Sequence, residues 1–312
     1  MNKFKIKLTI FLIPVFAIAC FFEFELGKIP NSYNYKRTLL EKKLDSIEIL
    51  ILGNSKALYG INPEYLKNNA FNASNHAQTL YYDCEIASRY LDRIPNLKFV
   101  IIPITEITFE NQLIDGPESW RDFFYSQFWG IDYPEINKLD IKYFSKIFLY
   151  SPKLSLEYAL KHFDITLNMD IQTNGYAQSV NIIGKELLNI NIDGDLKKVR
   201  TSIKKYRFPE NYYNFLKLIS LIKNRNAIPI FLKMPVLPAY NKLIDLNKDQ
   251  QQNLLINSIA KKYHCYYFNH FNDDRFETQD FQDLIHLNSN GARKFTKLFN
   301  HDILSIEKAD LN

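Results

Sequence analysis

The sequence predicts an α/β protein built on a doubly wound parallel sheet, and two observations support this prediction. Mainly apolar stretches of five to nine residues, such as IEILILG at residues 47–53, recur along the chain, and such stretches indicate buried strands of a parallel sheet. Segments with helical spacing separate the runs, an alternation that is typical of βαβ units. In chain order, the predicted strands are residues 47–53, 70–74, 97–104, 227–235 and 265–271.

Helices are predicted between the strands and after the last one. The connection from about residue 107 to 205 is longer and less regular than the others, and we interpret it as a mostly helical insertion over the sheet. A polar helical stalk is predicted at residues 28–46, ahead of the α/β domain at residues 47–308. Right-handed crossovers bring the loops after the strands to one edge, where ligands of such sheets bind. The predicted helices of the domain are residues 80–94, 144–163, 211–226, 247–262 and 288–304.

Composition excludes some classes of function. The chain has 312 residues, 46% of them hydrophobic, which is enough for one large domain with an elaborate insertion. Its net charge of +5 comes from scattered basic residues, and the sequence contains no zinc-ligand spacing, Walker loop or RNA-binding signature. We therefore predict no nucleic-acid partner, metal or cofactor. Cys84 and Cys265 permit one disulfide, although two buried thiols are the preferred interpretation.

The N-terminal segment, residues 1–27, predicts an export signal or a membrane anchor. Three lysines precede an uncharged apolar run, Leu8–Phe22, an order that favours a cytoplasmic N-terminus with the rest of the chain outside. Three interpretations stay open: an uncleaved signal-anchor helix, a signal peptide with a small-x-small site at Ala17 and Ala19, or a lipoprotein modified at Cys20. Each places the remainder of the chain in the periplasm or outside a bacterial cell.

Ser55 directly follows the first predicted strand, in the sequence ILILGNSKALYG. A hydroxyl at a strand–turn–helix junction is exposed and lies near a helix N-terminus, which favours developing negative charge. Gly53 permits the tight turn that this position needs. These features predict a nucleophile. The alternative interpretation is that Ser55 only caps the helix.

Asp283 and His286 lie between the last predicted strand and the last predicted helix, in the sequence FQDLIHLNSNGARKF. Their i, i+3 spacing lets the carboxylate reach a ring nitrogen of the imidazole. Such a contact fixes the histidine tautomer and supports the imidazolium that forms when histidine acts as a base. A loop with a capping aspartate is the alternative interpretation.

The order of these residues and the sequence around them resemble the SGNH hydrolase superfamily in three places. GNS at residues 53–55 resembles the Gly-Asp-Ser of the first block, and FNASNHAQT at 71–79 resembles the second block, Asn-x-Gly-x-x-Gly-x-Thr. DLIHLNSNG at 283–291 resembles the last block, Asp-x-x-His followed by a polar residue and Gly. The resemblance spans residues 53–291 and implies the flavodoxin-like SGNH hydrolase fold.

The resemblance also implies a role for each site residue. Ser55 would attack an ester carbonyl, His286 would accept its proton, and Asp283 would orient the imidazole. The backbone N–H groups of Ser55 and Ala77 would form an oxyanion hole, with Ala77 standing where the family usually has glycine. Three residues of the first and second blocks are candidates for the pocket: Asn54, Asn72 and His76.

The third block of the family, Gly-x-Asn-Asp, has no counterpart in this sequence. The third predicted strand runs into IIPITEITFEN at residues 101–111, without an asparagine at the expected place. Thr105 is the candidate replacement donor, whereas an ionised Glu106 would disfavour an oxyanion. This departure leaves a non-catalytic binding or assembly subunit as an alternative function.

The membrane segment and the long insertion make the architecture similar to that of membrane-anchored SGNH-like proteins of surface-polymer modification. Examples are the proteins of alginate O-acetylation and of lipoteichoic-acid D-alanylation. The similarity implies that Ser55 passes an acyl group, supplied by a multi-spanning membrane acyltransferase, to a hydroxyl of a cell-surface glycan. An esterase that removes acyl groups from a glycan or lipid shares the same acyl-enzyme, so transfer and hydrolysis both stay open.

Overall fold

The chain forms two compact units. The computed structural model describes residues 3–160, 171–179 and 205–309. The larger unit consists of Lys36–Ser119 and Asp170–Asn312, and every residue proposed above for the site belongs to it. The smaller unit consists of Met1–Tyr35 and Trp120–Met169. Most of the described helices of the predicted insertion therefore group with the N-terminal segment.

A five-stranded parallel sheet runs through the described residues of the larger unit. Its strands are β1 (Ile49–Ile51), β2 (Ala70–Asn72), β3 (Phe99–Pro103), β4 (Ile228–Lys233) and β5 (Tyr266–Asn269). Each strand lies within a segment that the sequence analysis predicted as a strand. The strand order is β2-β1-β3-β4-β5, with every neighbouring pair parallel. This is the order of a flavodoxin-like doubly wound sheet, so the predicted fold class is confirmed.

The helices follow the sequence-based expectation with one difference in the insertion. In chain order, the described helices are α1 (Lys3–Gly27), α2 (Ser32–Lys43), α3 (Ser55–Gly60), α4 (Leu80–Tyr90), α5 (Arg121–Phe124), α6 (Lys146–Leu149), α7 (Pro152–Leu160), α8 (Phe208–Asn224), α9 (Leu246–Tyr263) and α10 (Ser289–Ala309). The single helix predicted over residues 144–163 is wrong. Ser151 separates α6 from α7 and has a left-handed φ of +75°. The helix breaks here because the residue before a proline disfavours the helical region. Residues 161–170 and 180–204 of the predicted insertion lie outside the described residues.

Helices cover both faces of the sheet, because successive side chains of a strand point to opposite faces. On one face, Ile51 of β1 and Leu232 of β4 belong to a buried cluster with Phe299 of α10. On the other face, the ring of Phe231 in β4 lies 4.8 Å from the ring of Phe215 in α8. Packing on both sides fixes the carboxyl ends of the strands, from which the candidate site residues follow.

Helix α1, in the smaller unit, is long and apolar enough to cross a membrane. An 18-residue stretch of its 25 residues has a mean hydropathy of 2.1, and none of that stretch is buried. A signal sequence has the same character, so the anchor and signal-peptide interpretations both stand. Near the end of α1, the Glu23 carboxylate accepts a hydrogen bond from the backbone N–H of Lys146 at 2.7 Å. Glu23 therefore caps the start of α6.

The two cysteines of the larger unit are free thiols. Cys84 is buried and Cys265 is half-buried, and burial raises the pKa of each thiol to about 11. Both thiols are therefore protonated at neutral pH. The permitted disulfide does not form, and Cys265 is less buried than the sequence analysis expected.

Candidate active site

The turn that presents Ser55 depends on the two residues before it. Gly53 has a φ of +101°, and a Cβ at this position would lie 2.6 Å from Cγ of Pro103, so only glycine fits. Asn54 is the N-cap of α3, because its side chain accepts a hydrogen bond from the backbone N–H of Lys56 at 3.1 Å. The alternative interpretation of Ser55 as the capping residue is therefore wrong. Helix α3 begins at Ser55, and the Ser55 hydroxyl does not cap the helix, so it can bind another group.

Replacing Asn54 by alanine is expected to lower the free energy of unfolding by about 1 kcal/mol, because the N-cap hydrogen bond of α3 is lost. Chemical denaturation of the full chain in detergent micelles measures this difference. Asn257→Ala, on the exposed side of α9, is the control and is expected to change stability by less than about 0.5 kcal/mol. Equal stability of the two variants would contradict a capping role for Asn54.

Ser55, His286 and Asp283 form one series of hydrogen bonds. Oγ of Ser55 lies 2.8 Å from Nε2 of His286, although 231 positions separate the two residues in the chain. Nδ1 of His286 lies 2.7 Å from Oδ2 of Asp283. In this order, an imidazole can take a proton from a serine hydroxyl while a carboxylate stabilises the imidazolium that results.

Asp283 is held by the backbone of its own loop. Its Oδ1 accepts hydrogen bonds from the backbone N–H groups of Ile285 and His286, both at 2.8 Å. Burial acts to raise the pKa of Asp283, but the hydrogen bond and charge of His286, with the two backbone donors, bring that pKa below its ordinary value. The carboxylate is therefore ionised. Oδ1 of Asp283 binds the backbone of the loop, as a capping aspartate would, and Oδ2 binds the imidazole of His286.

The loop after β2 brings Ala77 to the same cavity as Ser55. Ala77 has a left-handed φ of +51°, a conformation that favours the glycine usual in the resembled family. The backbone N–H of Asn75 donates to the carbonyl of Gly53 at 3.1 Å and so ties this loop to the turn before Ser55. Within the described part of the chain, neither the N–H of Ser55 nor that of Ala77 has a hydrogen-bond partner. Both are available to an oxyanion.

Thr105 lines this cavity as well, but its backbone N–H is already engaged. That N–H donates to Oγ1 of Thr108 at 2.7 Å, and the two threonine hydroxyl oxygens lie 3.1 Å apart. Only the hydroxyl of Thr105 is therefore a candidate donor to an oxyanion. Its role as a third donor stays a prediction.

Glu106 enters the cavity as half of an ion pair. Its carboxylate lies 3.1 Å from Nζ of Lys56, and the exposed fractions of the Lys56 and Glu106 side chains are 7% and 9%. The hydroxyl of Tyr240 donates a hydrogen bond to the same carboxylate at 3.2 Å. Burial acts to raise the pKa of Glu106, but the charge of Lys56 and its hydrogen bond bring that pKa below its ordinary value. Because the pair is neutral overall, Glu106 opposes an oxyanion less than the sequence analysis expected.

Of the three residues predicted for the pocket, only Asn54 lines the cavity beside Ser55. The side chain of Asn72 is fully buried, and its amide donates to the carbonyls of Ala57 and Ile61, both at 2.9 Å. Asn72 therefore fixes α3 against the sheet. Nε2 of His76 lies 3.1 Å from the hydroxyl of Tyr59. The predicted place of Asn72 in the pocket is therefore wrong, because its amide is fully used within the fold. The ring of Tyr59 also packs against His286, with 5.8 Å between the ring centres, so the place of His76 beside the site stays a prediction.

Asp83 in α4 supports the site, and sequence reasoning missed it. Its Oδ1 accepts hydrogen bonds from the backbone N–H of Gly53 at 2.8 Å and from Nε2 of Gln78 at 2.7 Å. It therefore joins the turn before Ser55 to the loop that carries Ala77. Burial raises the pKa of Asp83 to about 6, against the two hydrogen bonds, which lower it. The sequence gives no signal for this role, since Asp83 lies in an ordinary helical pattern.

Lys36 in α2 is a second support that sequence reasoning missed. It is fully buried, and its Nζ donates to the backbone carbonyl of Asn72 at 3.1 Å and to that of Ser74. Burial lowers the pKa of Lys36 well below its ordinary value. Lys36 lies within the predicted polar stalk, yet Lys36 and Leu40 are both buried. This part of the stalk helix therefore belongs to the larger unit and anchors the loop after β2.

The cavity that these elements enclose has a volume of about 300 Å³. Ser55 and Ala77 lie on its wall beside the Lys56–Glu106 pair. The rest of the wall is mainly apolar and includes Leu80, Pro103, Ile107, Pro117, Tyr240 and Ile285. A nucleophile that opens into an apolar cavity with a few polar groups fits a small-molecule or acyl-group site.

Comparison with known proteins finds a likeness among solved structures. No protein-family model matches the chain, and no curated protein matches it either. Among solved structures, the chain is similar to a crystal structure from Bacteroides fragilis described as a "putative acylhydrolase". The sequence identity is 9% and the TM-score is 0.45, over 89% of this chain and 96% of that chain. We therefore infer the chemistry of the site from its own residues and distances.

Proposed function

We propose that this chain is a serine esterase or O-acyltransferase of the SGNH type that works through an acyl-enzyme on Ser55. The hydrogen-bonded series from Ser55 through His286 to Asp283 supports this proposal most directly. The three groups occur in the order, and at the distances, that general-base activation of a serine requires. The available N–H groups of Ser55 and Ala77 add the electrostatic part of the same chemistry.

In the proposed first half-reaction, Oγ of Ser55 bonds to the carbonyl carbon of an ester while its proton passes to Nε2 of His286. The N–H groups of Ser55 and Ala77 stabilise the oxyanion, and one donor of this kind is worth about 3 kcal/mol. The ester C–O bond then breaks, and His286 gives the proton to the departing oxygen. In the second half-reaction, water or an acceptor hydroxyl takes the acyl group from Ser55 by the same steps in reverse.

The proposal includes a location and a partner. Helix α1 tethers the chain to a bacterial cell membrane, with the larger unit in the periplasm or outside the cell. The three N-terminal lysines and the apolar helix that follows them support this orientation. There the acceptor is a hydroxyl of a cell-surface glycan, and a multi-spanning membrane acyltransferase supplies the acyl group. Hydrolysis of an acylated glycan or lipid is the other outcome of the same acyl-enzyme.

Intact-protein mass spectrometry with a fluorophosphonate probe tests the proposal on the full chain in detergent micelles. We expect the wild type to gain one adduct, because a hydroxyl activated by His286 attacks the phosphorus, and Ser55→Ala to gain none. Ser46→Ala removes an exposed serine outside the cavity and is expected to label like the wild type. Labelling that persists in Ser55→Ala, or a folded wild type that resists the probe, would contradict an activated nucleophile.

A non-catalytic binding or assembly subunit is the second candidate function. One observation favours it: the position after β3 holds Thr105, whose N–H is bonded to Thr108, instead of the asparagine that the family uses as a donor. A subunit of this kind would keep the cavity but would not form an acyl-enzyme. Absence of labelling in a folded wild type is the result that would favour this function over the first.

A further inference from the structure

The wall of the cavity beside Ser55 offers little free charge to a substrate. Lys56 and Glu106 neutralise each other within the wall. The Asp83 carboxylate, also in the wall, is 2% exposed and is occupied by the N–H of Gly53 and the amide of Gln78. A charged group entering this space would lose its hydration without gaining a partner ion, which is costly. The charged side chains of the wall are therefore already satisfied within the protein, which favours an uncharged group in the cavity.

Most of the surface that the wall presents is apolar, although uncharged polar side chains such as Thr79, Thr108 and Asn111 also line it. Leu80 of α4, Ile107 of the loop after β3, and Ile285 of the loop before α10 contribute from three different elements. Burying an alkyl chain against such side chains removes apolar surface from water and is favourable. Pro103, Pro117 and the ring of Tyr240 extend the same surface. The space beside the nucleophile therefore suits a hydrocarbon chain.

The volume of the cavity excludes a close fit to the smallest acyl group. A cavity of roughly 150 Å³ lined by apolar side chains holds a molecule of benzene, which has six carbons. The cavity beside Ser55, at about 300 Å³, has twice that volume. An acetyl group would leave most of this space unfilled and would forgo most of the contacts with the wall.

We propose that the acyl group carried by Ser55 is an uncharged chain of roughly four to eight carbons, held against Leu80, Ile107 and Ile285, because the cavity is open on one side and the reacting ester group takes part of its volume. This inference rests on the proposed function. In the acylation step, Oγ of Ser55 bonds to the carbonyl carbon and the ester C–O bond breaks. The proton of Ser55 passes through His286 to the departing oxygen. The alkyl chain remains in the cavity until water or a hydroxyl takes the acyl group.

A series of p-nitrophenyl esters, from acetate through butyrate, hexanoate and octanoate to decanoate, tests the inference on the full chain in detergent micelles. The release of p-nitrophenolate in the first turnover measures acylation, whether the acyl group later goes to water or to another acceptor. We expect the rate to be highest between butyrate and octanoate and at least about tenfold above that of acetate, since one methylene in an apolar pocket discriminates by 10-fold or more. Intact-mass spectrometry then counts the acyl groups, and loss of the adduct in Ser55→Ala locates the group on Ser55.

Variants of Ile107 test the wall itself. Ile107→Phe fills part of the cavity and is expected to move the optimum toward acetate, whereas Ile107→Ala enlarges it and is expected to move the optimum toward decanoate. Leu246→Phe, at an exposed position of α9, adds the same ring outside the cavity and is the control, with thermal unfolding of each variant as the check on folding. Opposite shifts in the two Ile107 variants support the inference even if one of them is less stable.

The possible failures are distinguishable. Acylation of Ser55 that is fastest with acetate, or a chain-length profile that neither Ile107 variant changes, would overturn the inference and leave the proposed function in place. If none of the esters acylates Ser55 in a folded wild type, the proposed function and the inference fall together.

Discussion

Replacing Asp283 by asparagine is expected to slow acylation of Ser55 about 10⁴-fold, the loss that this exchange causes in a Ser-His-Asp enzyme. Asparagine keeps the size of the side chain but removes the charge that stabilises an imidazolium. Its amide N–H₂ can donate to Nδ1 of His286, which then favours the tautomer with the proton on Nε2. That tautomer cannot accept a proton from Ser55. The first-turnover release of p-nitrophenolate from p-nitrophenyl hexanoate measures the loss.

Asp273→Asn is the matched control for this prediction. Oδ2 of Asp273 lies 3.3 Å from Nδ1 of His270, a histidine that is also three residues away in the chain. Both residues line a separate cavity, which does not include Ser55. Asp273→Asn is therefore expected to acylate at nearly the wild-type rate. A similar loss of acylation rate in both variants would mean that the exchange disturbs folding rather than catalysis. A wild-type rate in Asp283→Asn would show that Asp283 has no part in the mechanism.

Replacing Asp83 by asparagine is expected to change the pH dependence of stability. Burial raises the pKa of Asp83 from 3.8 to about 6 in the folded chain. A raised carboxyl pKa favours folding below pH 4, where the group is protonated in both states, and this contribution is lost as the pH rises through about 6. At about 1.4 kcal/mol per pH unit, the wild type loses about 2.4 kcal/mol relative to Asp83→Asn between pH 4 and pH 7, since the unfolded carboxyl is already partly ionised at pH 4. Urea denaturation at the two pH values measures the difference.

Asparagine is a suitable replacement at this position because one oxygen of Asp83 accepts both hydrogen bonds, and an amide oxygen can do the same. Glu106→Gln is a comparison variant for which stability is expected to depend on pH in the opposite direction. Burial acts to raise the pKa of Glu106, but the charge and hydrogen bond of Lys56, a backbone hydrogen bond and the charge of Lys233 together lower it. The wild type should therefore gain stability over Glu106→Gln as the pH rises. A stability difference for Asp83→Asn that is constant from pH 4 to pH 7 would contradict a buried carboxyl that titrates in this range.

The sequence by itself determined the parallel α/β class, the five strands, and the residues that meet at the carboxyl edge of the sheet. These features depend on local properties of the chain. A continuous apolar run indicates a buried strand wherever its partners lie, and an Asp-x-x-His spacing places two side chains together within one loop. The resemblance to the SGNH superfamily joined Ser55 to His286 in advance, and this pairing agrees with the rule that parallel strands end at the same edge of a sheet.

The sequence analysis was wrong where the orientation of a side chain depends on how its strand or helix packs against its neighbours. Asn72 belongs to a block that resembles a catalytic one, yet it lies opposite Ile51 in the sheet, and its amide points to α3. Its motif placed it near the site without specifying which side of the strand faces the cavity. The break at Ser151 was missed for a comparable reason, since helical spacing of apolar residues on both sides of a turn resembles one continuous helix.

Only the tertiary structure decided which residues support the site and which side chains line its cavity. Lys56 pairs with Glu106, Asp83 binds Gly53, and the buried Lys36 holds the loop after β2. Each of these contacts joins different elements of the chain. Burial and pairing depend on which loops converge at the sheet edge, and this is set by strand order and helix packing. Local sequence patterns therefore identified the reacting groups, whereas the wall around Ser55 required the folded arrangement of the whole unit.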